Sequence, residues 1–193
     1  MMEAIRRGLS GLVTFSGRDD RRTFWYYVLF VFILRWLAGT AASIVLMGSV
    51  VSRSVRSAVS GGGAEATVRT MQADVAAIMP QMAMIGIVVG LLTMALLAAA
   101  LVRRLHDSNL PGWLVLVPGA LYLVVIATMP EQTERAMLAI NASSDHPGET
   151  VLAHTNWGLA ALGWAAIAIV VALGVRKSTP GANRYGAGRD SVF

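Results

Sequence analysis

The chain has 193 residues, of which 55% are hydrophobic and only 14% charged, and its mean hydropathy is +0.61. With no cysteine and a net charge of +5 carried almost entirely by arginine, it has no disulfide, no thiolate metal site and no thiol nucleophile. No basic stretch is long enough to form a nucleic-acid-binding arm, so the charge is read as topology-setting arginines beside membrane spans.

Apolar runs place four spanning helices at 24–51, 81–102, 111–129 and 157–175, in one membrane domain covering 1–193. The second is the clearest. Gln81 to Val102 contains no ionisable side chain, and at about 1.5 Å per helical residue it covers roughly 33 Å, the thickness of a bilayer core. The fold class is therefore all-α, a polytopic membrane protein.

Before the first span lies a cluster of Phe15, Gly17, Arg18, Arg21 and Trp25. Arg18 and Arg21, three apart, share a face just ahead of an aromatic belt, in which Trp25, Tyr26 and Tyr27 read as interfacial anchors together with Trp113 and Trp157. Within the first span stands Arg35, and no apolar run supplies an aspartate or glutamate to pair with it. It is expected to snorkel or to bind carbonyls in the bundle.

The first outer loop, 52–80, includes a stretch from Ala64 to Met79 with Val68, Met71, Val75 and Ile78 at helical spacing, a short amphipathic helix at the outer interface. Pro80 separates it from the second span. In that span Gly86 and Gly90, four apart, form a small-residue pair suited to close helix packing, within the bundle or in a homo-oligomer. Arg103, Arg104, His106 and Asp107 are compressed into the hairpin that follows. His106 beside Asp107 is the one pair with titrating chemistry, since Asp107 could orient the imidazole. The alternative is a structural hairpin in which Asp107 pairs with Arg18, Arg21 or Arg184.

Pro111 opens the third span, Pro118 and Gly119 predict a kink inside it, and Pro130 follows it. The second outer loop, 130–156, begins with a helical turn over Glu131 to Ile140 and continues as irregular chain. His146 and His154 in it match no common metal-ligand spacing and read as solvated loop. The tail, 176–193, carries Gly181, Asn183, Arg184, Tyr185 and Gly186.

Arginine and lysine divide eleven to four between the side of the termini and hairpin and the opposite side, with Arg35 between. The positive-inside rule places both termini in the cytoplasm.

The three polar clusters, in this order, resemble the bacterial inner-membrane proteins grouped as domain of unknown function 805. The match runs through Phe15 to Trp25, Arg103 to Asp107 with Trp113, and Gly181 with Asn183 to Gly186. Leu114 stands where many members carry a second tryptophan. The resemblance implies a multi-pass inner-membrane protein and supplies no activity. Residues and resemblance together lead to a non-catalytic bundle without cofactor or metal. Its inner face of Arg18, Arg21, Arg103, Arg104, His106, Asp107, Asn183 and Arg184 is expected to bind anionic lipid headgroups or a membrane protein partner, or to serve a larger complex. A small oligomeric transporter or channel is the remaining alternative.

Overall fold

The computed structural model describes residues 1–61, 63–142 and 156–187, without the side chains of 139–142. It contains α1 (Met2–Ser10), α2 (Arg21–Val59), α3 (Ala64–Asp107), a 3-10 turn (Gly112–Val115), α4 (Leu116–Ala142) and α5 (Trp157–Val175). The last four helices are each long and apolar enough to cross a membrane, and among the described residues there is no strand, only an isolated bridge between Asn183 and Gly186.

Three helices are longer than the apolar runs that define them, and α2 continues to Val59, into the expected outer loop 52–80. The amphipathic stretch from Ala64 continues through Pro80 into the apolar run as one helix, with Pro80 inside it. It is therefore not a separate interfacial helix. A proline in a membrane helix is tolerated where neighbours re-satisfy the freed carbonyl. The helical turn at Glu131 is likewise continuous with the span before it, through Pro130. At the other end of α4, residues 112–115 form a 3-10 turn and the α-helix begins at Leu116. Pro118 then falls in the first helical turn, where no intrahelical partner exists for its missing N–H, so it gives no mid-helix kink.

The chain divides into two compact units. The first comprises residues 1–35, 90–125 and 158–193. Its core is Phe24, Tyr27 and Val31 of α2 with Ala100 and Leu101 of α3, against which Val170 and Leu173 of α5 pack. Tyr27 is 1% exposed and donates to the Leu96 carbonyl at 3.2 Å. It is a core residue here and not an interfacial anchor, whereas Trp113 and Trp157 are exposed.

The second unit comprises residues 36–89 and 126–157. Val50, Ala76, Ile78 and Ile126 are buried, and Arg53 pairs with Asp74 at 2.7 Å. Gly86 leaves room for Met129, whose sulfur would lie 3.9 Å from an added Cβ. A crevice lined by Pro80, Met84, Ile87, Pro130, Glu134 and Met137 is almost wholly apolar and holds no constellation of reactive groups.

Candidate functional site

The three polar clusters converge in the first unit, on what is called here the hairpin face. Its two organising groups are carboxylates. Asp19 is 3% exposed and receives Arg7 Nε on Oδ1 at 2.6 Å and Arg103 Nε on Oδ2 at 2.7 Å. Its backbone N–H donates to the Arg103 carbonyl at 3.2 Å. The next residue, Asp20, caps α2 by accepting the Thr23 N–H at 3.3 Å.

Asp107 ends α3 and accepts Arg18 Nη2 on Oδ1 at 3.0 Å and Arg104 Nη1 on Oδ2 at 2.7 Å. Both of its oxygens are thus taken by arginines, and Asp107 does not orient His106.

Two carboxylates cannot satisfy four guanidinium groups, and main-chain carbonyls take most of the remaining donors, leaving Arg103 Nη2 buried without a partner. Arg103 Nη1 donates to Gly11 and Thr14, each at 2.6 Å. Arg104, fully buried, donates to the carbonyls of Gly174 at 3.0 Å and of Arg176. Arg18 reaches the carbonyls of Thr179 at 2.7 Å, Gly181 at 2.6 Å and Gly186 at 3.3 Å. The tail is thereby strapped across the hairpin.

Further contacts from the tail involve the imidazole and its neighbours. Tyr185 stacks on His106 with ring centres 3.8 Å apart and planes 9° apart, while Asn183 Nδ2 donates to the His106 carbonyl at 2.9 Å. Arg184 lies over the Tyr185 ring at 4.7 Å and donates to the Asn109 carbonyl at 3.2 Å. His106 Nδ1 is buried without a hydrogen-bond partner, and the other edge of the ring faces Gly112, where an added Cβ would lie 3.0 Å from Nε2. His106 is thus half-buried, with one face of its ring covered by Tyr185.

A match to the family model for "Protein of unknown function (DUF805)" spans residues 12–187. The chain belongs to the DUF805 family. No curated protein and no solved structure matches it. The family match begins after α1 and takes in the whole arginine network except Arg7.

Of the residues anticipated for this DUF805 protein's inner face, Arg18, Arg103, Arg104, His106, Asp107, Asn183 and Arg184 all join the network. Arg21 stands at its margin, exposed and 3.4 Å from the Val175 carbonyl. Arg103 and Arg104 are 3% and 0% exposed. Their donors point into the protein, so a headgroup-binding role does not fall on them. Sequence reasoning missed Asp19 and Arg7. The available signal was two adjacent acids in an otherwise basic segment, which implies local charge compensation. Gly90 is buried, and His146 and His154 lie outside the described residues.

Proposed function

We propose that this DUF805 protein is a non-catalytic module of the bacterial inner membrane, with its hairpin face in the cytoplasm and its exposed basic residues binding anionic lipid headgroups. One observation carries this reading. The basic residues include a buried set, Arg18, Arg103 and Arg104, at the heart of the network, and an exposed set, Arg6, Arg21, Arg22, Arg176 and Lys177, whose side chains lie outside it or at its margin.

The buried set is engaged with carboxylates and main-chain carbonyls inside the protein and is largely shielded from solvent. Arg21, Arg22, Arg176 and Lys177 sit at the ends of α2 and α5, where a basic side chain near an anionic surface contributes about 1 kcal/mol. A catalytic role is disfavoured because the only imidazole of the face is stacked under Tyr185 and lacks an orienting carboxylate.

The test is lipid selectivity in reconstituted bilayers. Spin-labelled phosphatidylglycerol should be enriched over phosphatidylcholine at the protein boundary, with the preference falling as salt rises. Arg22→Gln, Arg176→Gln and Lys177→Gln should each reduce it. Selectivity that ignores both salt and these variants would overturn the proposal.

A further inference from the structure

The nine-residue helix α1 is attached to the protein along one packed strip and through the Arg7 side chain, which reaches Asp19 and the Arg18 carbonyl. Ala4 is 6% exposed, and a Cβ placed on Gly8 would lie 2.2 Å from two ring carbons of Tyr27, so the Tyr27 ring packs directly on the backbone of α1. The segment after α1 is pinned by Arg103 through Gly11 and Thr14, and by Arg7 to Asp19.

The rest of the helix is sharply divided. At 100° per residue, Ile5, Leu9 and Met2 fall within an arc of about 60° beside the Ala4 and Gly8 strip. Glu3, Arg6, Arg7 and Ser10 occupy the other side. Met2 is 80% exposed and Leu9 44%, and the exposed apolar surface continues after the helix in Val13 and Phe15.

The place of attachment decides what covers this surface. Tyr27 lies six residues beyond the start of α2, about 9 Å along its axis, and already inside the apolar run that begins at Phe24. A helix seated at that level lies at the boundary between headgroups and acyl chains. Its polar side carries Arg6, with the exposed Arg22 at the start of α2, which complements an anionic headgroup layer.

We infer that α1 is an in-plane membrane anchor, lying in the leaflet on the side of the hairpin with Met2, Ile5 and Leu9 turned into the acyl boundary. Helices of this kind bury their apolar face by about 5–10 Å. The inference depends on the four spans and not on any preference for lipid charge.

The absence of native cysteine allows a direct test. Single variants Met2→Cys, Ile5→Cys, Arg6→Cys, Leu9→Cys and Ser10→Cys are spin-labelled in the full chain reconstituted in phosphatidylcholine vesicles. Collision rates are then measured with oxygen, which partitions into hydrocarbon, and with a water-soluble nickel chelate. Positions 2, 5 and 9 should favour oxygen, and positions 6 and 10 should favour nickel. Uniform access to nickel would overturn the inference, because the helix would then ride in water. Protection of 2, 5 and 9 from both reagents would overturn it too, in favour of a protein contact such as a second copy. Val13→Cys repeats the measurement outside the helix, at a residue 85% exposed, where labelling disturbs no packing. The oxygen pattern should persist without anionic lipid, so its presence with no salt-sensitive selectivity would remove the headgroup reading alone.

Discussion

Arg18 and Asp107 stand 89 residues apart in sequence and meet at 3.0 Å, with their side chains 7% and 6% exposed. An ion pair this enclosed owes its favourable balance to further bonds, here the three tail carbonyls on Arg18 and the Arg104 guanidinium on Asp107. Removing Asp107 leaves Arg18 and Arg104 buried without a carboxylate, and removing Arg18 leaves Asp107 with Arg104 alone. Asp107→Asn and Arg18→Gln should each destabilise the protein in detergent by about 3–5 kcal/mol. The double variant should lose far less than the sum, and additive losses in denaturant or thermal unfolding would show that the two residues do not share a network.

Asp19 gives the sharper single test, because it serves two arginines at once. Asp19→Asn keeps the shape of the side chain and removes the charge between Arg7 and Arg103. A loss of about 3–5 kcal/mol is expected from the uncompensated Arg103. Arg7→Gln should cost much less, since the Arg7 side chain is 44% exposed. Equal losses from the two would contradict the asymmetry of their burial.

Gly8 is required by contact rather than by backbone conformation. Gly8→Ala forces either the Tyr27 ring or α1 to move, and overpacking of this kind costs about 1–3 kcal/mol. Proteolysis near residue 10 should accelerate in the variant, while the transmembrane core resists as before. Unchanged cleavage would mean that α1 does not dock on Tyr27.

Arg35 is half-buried in α2, and its one long hydrogen bond is to the Thr93 hydroxyl at 3.5 Å. That bond is weak recompense for a charge within an apolar span, whose insertion cost is about 2.5–3.5 kcal/mol at mid-membrane. Arg35→Leu should therefore insert more readily and unfold at higher temperature. A lower unfolding temperature would show that the bundle depends on this arginine.

The eleven-to-four distribution of basic residues predicts topology as well. Reporter fusions after Phe193 and within the hairpin should report cytoplasm, and one between α2 and α3 should report the opposite side. A reversed pattern would overturn the orientation.

The spans were legible because twenty apolar residues in a row have few other uses, and the three polar clusters were legible as groups because membrane proteins confine charge to their ends. Helix limits were less so. Pro80 and Pro130 read as breaks, yet both lie inside continuous helices, since a bundle can absorb a missing N–H that an isolated helix cannot. Arg103 and Arg104 looked like surface charge for the same kind of reason. Their burial depends on carbonyls at Gly11, Thr14, Gly174 and Arg176, and a main-chain carbonyl has no letter in the sequence. Asp19 was hidden by its neighbours, since nothing in the order of residues 18–22 says which acid turns inward.

The capture of Gly174 and Arg176 by Arg104 also imposes a schedule on synthesis. The acceptors lie 70 and 72 residues after the donor, so a ribosome delivers them only after α4 and α5 have been translated. Until then a guanidinium that ends with no solvent exposure must remain hydrated at the membrane surface. The hairpin face is therefore the last part of the protein to close, and a nascent chain stalled before α5 presents its cationic core to whatever inspects unfinished membrane proteins.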